Sequence, residues 1–308
     1  MITVVGSSNV DIVLYVKRFT RPGETQKAYN MKIYPGGKGA NQAVTVAKLG
    51  AKCYFLSCLS NDGSILIENF EKLGIKGWKI VDEPTGKAFI ELTENGENRI
   101  IIFGGANLLV NEKFIMENDC FIKESNIVLL QNEIPLEGNL AAATIAKEHG
   151  ATVILDPAPA QNISLELLKM VDIITPNEEE LKELVRNISP DFSDFNNTDK
   201  MLDLLKEEGI NSIILKCGEK GSIFYNGSSF IEVPAFKIED VVDTTAAGDV
   251  YNGALAVALN RGKNIKTAMV YASAAAAISV TRFGAQSSIP NEAEVRNFLK
   301  SHGIFDIV

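Results

Sequence analysis

The chain has 308 residues, of which 46% are hydrophobic and 22% charged, the composition of an ordinary globular protein with a large core. Lys and Arg number 30 against 39 Asp and Glu, so the formal net charge is -9. This balance argues against a general nucleic-acid or anionic-membrane binder, because both need a basic face. The two histidines and four cysteines form no metal or triad motif.

Short β-branched runs alternate with helical patterns along most of the chain. The first run, Ile2–Val5, stops at Gly6 as a buried strand would. Further strands are predicted at 52–59, 126–130, 152–155, 172–175 and 212–216, and helices at 41–49, 136–149, 178–186, 198–208, 249–260, 265–280 and 291–301. The alternation predicts an α/β fold, with a central mostly parallel sheet flanked by helices.

Two segments interrupt this alternation. Residues 11–34 contain strand-like pieces without a helix, and residues 85–103 read as two strands around the hairpin signal Asn95-Gly96. We expect both insertions to be antiparallel and to form one small β-sheet beside the main layer. The predicted α/β domain comprises residues 1–10, 36–83 and 105–308, and the small β-sheet comprises residues 11–35 and 84–104.

The strongest local motif is Asp243-Thr244-Thr245-Ala246-Ala247-Gly248-Asp249 before a predicted helix. Its small residues leave backbone N–H groups open, and the helix N-terminus favours an anion. Asp249 is placed to accept an alcohol proton as a phosphoryl group arrives. In isolation, a simple helix N-cap is the commoner role for such an aspartate.

Two more motifs favour a small polar ligand, whereas GxGxxG and GxxxxGK[ST] are both absent. Residues 36–42 (GGKGANQ) lie at the start of a predicted helix, and their three glycines leave the backbone accessible to a small ligand. Lys38 and Asn41 are donors for hydroxyls. Asn9 and Asp11 follow the first strand and lie two apart, so both can face a polyol. The alternatives are a flexible loop for the glycines and an Asx-turn pair for Asn9 and Asp11.

Together these motifs resemble the ribokinase-like family of sugar and nucleoside kinases. GSSNVD, PGE at 22–24, GGKGANQA, DPAPA at 156–160, TPNE at 175–178, DTTAAGD and VTRFGAQSS at 280–288 occur in that order. The resemblance runs from Ile2 to about Pro290. It implies that the small sheet is a lid over the sugar, and that the lid often forms a homodimer contact.

The resemblance also implies roles for individual residues. Asp249 matches the general base, and Ala246, Ala247 and Gly248 match the backbone anion hole. The positions that hold the sugar match Asn9, Asp11, Gly37, Lys38, Asn41, Glu133 and Asp249. The nucleotide positions match Asn177, Lys216, Cys217, Gly218, Glu219, Lys220, Gly221, Gly248 and Ser273, with Glu178 near magnesium. A potassium site would match Asp243, Thr245, Ser279, Arg282, Gly284 and Ser288.

The expected function is ATP-dependent phosphorylation of D-ribose at its 5-hydroxyl, with Mg²⁺ on the phosphates and K⁺ beside the anion hole. The alternatives are a kinase for deoxyribose, another sugar or a nucleoside, and a sugar-binding module without turnover. One departure from the family pattern is Lys216, where a small hydroxyl residue usually opens the nucleotide loop. No signal peptide or membrane span is visible, so a cytoplasmic location is expected.

Overall fold

The structure is a computed structural model that describes residues 1–305. Its strands are β1 (Ile2–Val5), β2 (Asn9–Val16), β3 (Asn30–Gly36), β4 (Cys53–Leu56), β5 (Cys58–Leu59), β6 (Lys79–Ile80), β7 (Gly86–Thr93), β8 (Asn98–Phe103), β9 (Ile127–Gln131), β10 (Thr152–Asp156), β11 (Ile173–Ile174), β12 (Ile213–Lys216), β13 (Ser222–Tyr225) and β14 (Phe230–Val233). Its α-helices are α1 (Lys38–Lys48), α2 (Ser64–Lys72), α3 (Glu112–Glu117), α4 (Asp119–Lys123), α5 (Leu136–Glu148), α6 (Leu165–Met170), α7 (Glu178–Ile188), α8 (Thr198–Glu207), α9 (Ala247–Asn260), α10 (Ile265–Ser279), α11 (Ala285–Ser288) and α12 (Glu292–Ser301).

The large sheet has eight strands in the order β14-β13-β12-β11-β10-β9-β1-β4. From β12 to β4 every pairing is parallel, and β13 and β14 add an antiparallel edge. The predicted fold class, a mostly parallel sheet flanked by helices, is therefore confirmed. The sequence prediction lacked β13 and β14, because runs of four residues give little periodic signal.

Helices cover both faces of the large sheet, and each face has its own hydrophobic core. In β1, Ile2 and Val4 pack into the core that contains α1, α9 and α10, whereas Val5 packs into the core with α5, α7 and α8. Burial on both faces explains why the parallel strands read as continuous apolar runs. No helix within residues 1–305 has the length and apolar character needed to cross a membrane.

The small sheet has four strands in the order β3-β2-β7-β8. The pairs β2–β3 and β7–β8 are antiparallel hairpins, as expected, and they join through the parallel pair β2–β7. The β7–β8 turn contains Gly96 at a φ of 85°, as its hairpin signal predicts. The sheet extends beyond the predicted segments, because β2 begins at Asn9 and β3 ends at Gly36.

Other element boundaries also differ from the prediction. The predicted strand at 52–59 is two strands, because β4 pairs with β1 while β5 turns away to pair with β6. The predicted helix at 41–49 begins earlier, at Lys38, directly after Gly37. The helices α2, α3, α4, α6 and α11 were not predicted, because each has only four to nine residues.

Candidate active site

Two adjoining cavities open at the edge where the parallel strands end, the usual ligand position in such sheets. The larger has a volume of about 880 Å³ and the smaller of about 280 Å³. The smaller cavity is lined by Lys38, Asp156, Asn177, Glu180, Lys216, Gly218, Thr244, Ala246, Ala247, Gly248 and Asp249. Predicted nucleotide-binding residues line the larger cavity, namely Lys216, Gly218, Glu219, Lys220, Gly221, Gly248 and Ser273.

Asp249 lies in the first turn of α9 and its carboxylate does not cap the helix. Residue Ala246, at a φ of 62°, occupies the N-cap position instead. The Asp249 carboxylate accepts hydrogen bonds from Asn41 Nδ2 at 2.9 Å and from Gln42 Nε2 at 3.5 Å. The N-cap alternative is therefore wrong, because the side chain points away from its own helix end toward α1.

The pKa of the Asp249 carboxyl is raised to about 6. Burial is the main cause, Lys38 opposes it, and the charge of Asp156 adds to it. A carboxylate in this range is ionised at neutral pH and can still accept a proton. This is the behaviour required of a general base.

The N-terminus of α9 presents open backbone donors beside this carboxylate. Among residues 1–305, the N–H groups of Gly248 and Asp249 have no hydrogen-bond partner in the protein. The N–H of Ala247 donates to the carbonyl of Thr244 at 3.2 Å. Within the same described residues the N–H of Ala246 has no partner either, so the open donors here are Ala246, Gly248 and Asp249 rather than Ala247.

Asn9 and Asp11 lie on one face of β2, because side chains two apart in a strand point the same way. Asn9 Oδ1 accepts a hydrogen bond from Asn107 Nδ2 at 2.8 Å, so Asn9 is held by a distant residue rather than by a local Asx turn. Beside Asp11, a Cβ on Gly36 would lie 2.1 Å from Oδ2. A larger residue at position 36 would displace the Asp11 carboxylate.

The charge environment of Asp11 shows which groups surround it. Its pKa is raised to about 7, first by burial and then by the charges of Glu133 and Asp249. Glu133 Oε2 accepts hydrogen bonds from Ser7 Oγ at 2.5 Å and from the Lys38 amide at 3.3 Å. Three predicted sugar-site carboxylates from separate segments, Asp11, Glu133 and Asp249, therefore lie close enough for their charges to interact.

The glycine loop before α1 brings Lys38 into this group. Gly37 has a φ of 90°, and a Cβ there would lie 2.6 Å from the backbone nitrogen of Asn9. Burial alone lowers the pKa of Lys38, but Asp249, Asp156 and Glu133 outweigh it and raise that pKa. Lys38 is therefore a fixed positive charge among carboxylates, and this loop is rigidly packed rather than flexible.

The nucleotide loop begins at the end of β12. Lys216 Nζ donates to Asp156 Oδ1 at 3.0 Å, and both side chains are largely buried. The thiol of Cys217 is buried, and burial raises its pKa to about 11. The backbone N–H of Cys217 donates to the Gly221 carbonyl and its carbonyl accepts from the Lys220 amide, and Cys217 lines neither cavity. Ser273, in α10, lines the larger cavity.

The segment 177–180 places a different glutamate at the cavity from the one predicted. The exposed Glu178 pairs with Lys220 at 3.2 Å and does not line the smaller cavity. Glu180 lines that cavity, and its Oε2 accepts from the Asn177 amide at 2.7 Å in a capping box. Glu180 rather than Glu178 faces the cavity because residues two apart on α7 point to different sides of the helix.

The predicted potassium loops meet through Asp243. Its Oδ1 accepts from the Thr245 amide and its Oδ2 from the Gly284 amide, both at 2.9 Å. The first bond caps the turn that contains Thr244 and Thr245, and the second ties this loop to the one before α11. The other predicted side chains donate hydrogen bonds to nearby groups: Ser279 to the Ala276 carbonyl, Arg282 to the Glu294 carboxylate and Ser288 to the Ala285 carbonyl.

Sequence reasoning gave no role to four residues that the structure places at the site. Asp156 ends β10 and Glu180 faces the same cavity. Gln42 donates to both Asp156 and Asp249, at 3.3 and 3.5 Å. Asn107 fixes Asn9. The position of Asp156 at a strand end was the available signal.

Comparison with known proteins gives a consistent picture. The model of the pfkB family carbohydrate kinases matches residues 1–292. A ribokinase of Haemophilus influenzae is 41% identical over 97% of this chain and 98% of the relative. A deoxyribokinase of Salmonella typhi is 34% identical over 97% of this chain and 98% of its own length.

Solved structures agree over the whole fold. A crystal structure of ribokinase from Thermotoga maritima matches with a TM-score of 0.90 and 52% identity, covering 97% of this chain and 99% of the other. Arabidopsis thaliana ribokinase complexed with ribose and ATP matches with a TM-score of 0.89 and 35% identity, covering 97% and 98%. The chain therefore belongs to the pfkB family of carbohydrate kinases.

Proposed function

We propose that this protein transfers the γ-phosphoryl group of ATP to the 5-hydroxyl of D-ribose. The carrying observation is the buried Asp249 carboxylate, with a pKa of about 6, beside the open amides at the start of α9. A base and an anion site at one point are the two groups that phosphoryl transfer to an alcohol requires. The ribose- and ATP-bound Arabidopsis relative supports the choice of substrates.

In this mechanism Asp249 takes the proton of the sugar hydroxyl as its oxygen bonds to the γ-phosphorus. The bond to the bridging oxygen breaks, and ADP leaves with that electron pair. The amides of Gly248 and Asp249, with the ammonium of Lys38, stabilise the charge on the transferring group. Asn41 keeps the carboxylate oriented through its 2.9 Å hydrogen bond.

The sugar would lie between β2 and the start of α1. Asp11 can accept from two adjacent hydroxyls, which favours ribose over a sugar that lacks one of them. Asn9, the Gly37–Lys38 backbone, Asn41 and Glu133 would hold the remaining hydroxyls. The deoxyribokinase relatives keep deoxyribose as the second candidate.

Magnesium would reach the site with the nucleotide. Among residues 1–305, no three His, Cys, Asp or Glu side chains are grouped to hold a metal. Mg²⁺ is commonly bound by one or two carboxylates together with substrate phosphates. Glu180 faces the smaller cavity beside Asp249, and it fits this arrangement better than Asp156, which is paired with Lys216. Bound there, the ion would neutralise phosphate charge.

We also propose a potassium ion between the two loops that Asp243 joins. Asp243 would supply one formal charge, and the segments at Thr245, Ser279, Arg282, Gly284 and Ser288 would supply backbone carbonyls. A single charge with several carbonyls suits a monovalent cation. The ion would help to order the loop that carries the open amides of α9.

The exposed apolar surface of the small sheet supports a homodimer contact. Ile100, Ile101, Ile102 and Phe103 on the edge strand β8 are 55%, 71%, 53% and 44% exposed. A long apolar edge strand usually needs a partner. We propose that a second copy covers it and that this sheet closes over the sugar as a lid. Ile101→Lys should shift the mass measured by light scattering from dimer to monomer.

Free cysteines and the use of ATP favour a cytoplasmic protein, because reduced thiols and ATP coexist there.

A substrate panel tests the main proposal. ATP is supplied with ribose, 2-deoxyribose, fructose or adenosine, and the phosphorylated product is measured. The highest kcat/KM for ribose supports the proposal. A preference for another substrate, or binding without turnover, overturns it.

A further inference from the structure

Lys216 joins two strand ends across the strand that lies between them. It closes β12, Asp156 closes β10, and β11 separates the two in the sheet. Their 3.0 Å ion pair leaves the Lys216 side chain 14% and the Asp156 side chain 3% exposed. Such burial orients a lysine strongly, because removing either partner would leave an unpaired buried charge.

Lys216 also lies where the two cavities meet. Both cavities are lined by the same five residues, namely Lys216, Gly218, Thr244, Ala247 and Gly248. Lys216 is the charged member of this set. Its Nζ would lie 3.4 Å from a Cβ placed on Gly248, which puts the ammonium against the N-terminus of α9.

This position has a clear electrostatic consequence. A molecule that extends from the larger cavity to Asp249 must pass the Lys216 ammonium and the open amide of Gly248. Both attract negative charge, and an ammonium with an amide donor is a common pair for phosphate oxygens. An uncharged extended ligand would gain nothing from the ammonium.

We propose that Lys216 is a nucleotide-specificity residue, whose ammonium binds the polyphosphate of the nucleotide at the junction of the two cavities. Asp156 is its positioning residue and holds the ammonium in place through their 3.0 Å ion pair. The inference rests on the proposed function, because it takes the larger cavity as the nucleoside site. It gives this chain a charged phosphate contact at the position where the resemblance implies a small hydroxyl.

Calorimetry on Lys216→Met tests the proposal directly. Adenosine, ADP and ATP are titrated with Mg²⁺ into the wild type and the variant. Loss of a charge-assisted contact should weaken ATP and ADP by roughly 10- to 100-fold. Adenosine affinity should stay within about twofold, because the nucleoside does not reach the ammonium. Lys216→Arg should recover part of the ATP affinity by restoring the charge.

Two further variants provide the comparison. Lys200→Met removes an exposed lysine paired with Asp194 at 2.8 Å and should leave all three affinities unchanged. Asp156→Asn should weaken ATP less than Lys216→Met does, because the ammonium remains but is less well held. Ribose titration into Lys216→Met should give wild-type affinity and so confirm an intact fold.

The outcomes separate the two proposals. Equal weakening of adenosine and ATP, or ATP binding unchanged in Lys216→Met, overturns the role of Lys216. Wild-type protein that binds ATP but phosphorylates no sugar overturns the proposed function and leaves the calorimetric result standing. Wild-type protein that binds neither adenosine nor ATP overturns both.

Discussion

The side-chain amide of Asn41 donates a 2.9 Å hydrogen bond to the buried carboxylate of Asp249. Asn41 lies in α1 and Asp249 in α9, so one bond joins the sugar-side glycine loop to the helix that offers the open amides. The bond favours the ionised carboxylate and opposes the effect of burial on the pKa of Asp249. It therefore fixes the base in position and helps to keep it charged near neutral pH.

The first prediction concerns the base itself. Asp249→Asn keeps the size of the side chain but cannot accept the proton. Turnover should fall by about 100-fold or more, while ribose affinity changes much less. Steady-state kinetics and ribose calorimetry measure the two effects. Asp191→Asn changes an exposed aspartate in the loop after α7 and serves as the control. Near-normal turnover of a folded Asp249→Asn protein would exclude Asp249 as the base.

The second prediction concerns pH. Asp249 is protonated below a pH of about 6, so kcat at saturating ribose should fall as the pH drops through that value. Asn41→Leu removes a hydrogen bond that lowers the pKa of Asp249, so this acidic limb should move to higher pH. At pH 9 the carboxylate is ionised in both proteins, so a difference in kcat that remains there measures the loss of positioning rather than of ionisation. An acidic limb at the same pH in both proteins would contradict the role of Asn41.

Local patterns predicted the parts of the site that are continuous in sequence. The small residues before Asp249 and the three glycines around Lys38 identify two loops at helix starts, and the structure has both. The alternating strands and helices predicted the main sheet. These features depend on neighbouring residues, which a sequence displays directly.

Other features depend on distant partners and escaped prediction. Asp156 and Lys216 meet only because β10 and β12 lie one strand apart in the sheet. The choice of Glu180 over Glu178 follows from the rotation of α7, which is set by packing on the core. Asp249 was open to a capping role until its contact with Asn41 was seen. Strand order and helix rotation are tertiary properties, and short local patterns do not encode them.

The third prediction concerns sugar selection. If Asp11 accepts from two neighbouring hydroxyls, Asp11→Ala should lose about 1.5–3 kcal/mol of ribose binding for each charge-assisted bond. Binding of 2-deoxyribose should weaken less, so the two affinities should become more alike. Calorimetry with both sugars measures the difference. Equal losses for the two sugars would mean that Asp11 does not contact the 2-hydroxyl.

The fourth prediction is that Asp11 lowers stability while it serves binding. Its pKa is about 7 in the fold against 3.8 as the ordinary value, so the folded protein holds the proton more tightly than the unfolded chain. The resulting loss in the free energy of unfolding is small below about pH 4, grows between about pH 4 and pH 7, and reaches its full size above pH 7. Asp11→Asn should therefore raise the free energy of unfolding by about 1–4 kcal/mol at pH 8.

Urea unfolding at pH 4 and pH 8 checks this prediction. The stabilisation should appear at pH 8 and vanish at pH 4, whereas Asp191→Asn should change little at either pH. Ribose affinity of Asp11→Asn should fall at pH 8. Equal stability of the variant and the wild type at pH 8 would mean that the Asp11 carboxylate is well solvated in the fold.

The last prediction concerns the monovalent cation. Asp243 ties the loop before Ala246 to Gly284 through two 2.9 Å hydrogen bonds, and this loop leads directly into the open amides of α9. A potassium ion between the two loops would hold them together, and small displacements of a base or donor reduce rate steeply. Turnover should therefore rise as potassium is titrated into a sodium buffer at fixed ionic strength. Sodium itself should act much less, because its smaller radius suits a cage of carbonyls poorly.

Asp243→Asn removes the charge together with one of the two accepting oxygens, so the potassium dependence of its turnover, rather than the turnover itself, reports on the ion. The variant keeps one oxygen acceptor but loses the charge that would attract a cation, so its turnover should be low and independent of potassium. Wild-type kinetics in sodium alone should resemble those of the variant. If potassium does not change wild-type turnover, Asp243 acts only through its bonds to Thr245 and Gly284, and the ion has no part in the mechanism. Asp249 would keep its role in that case, because its contacts with Asn41 and Gln42 do not depend on the Asp243 loop.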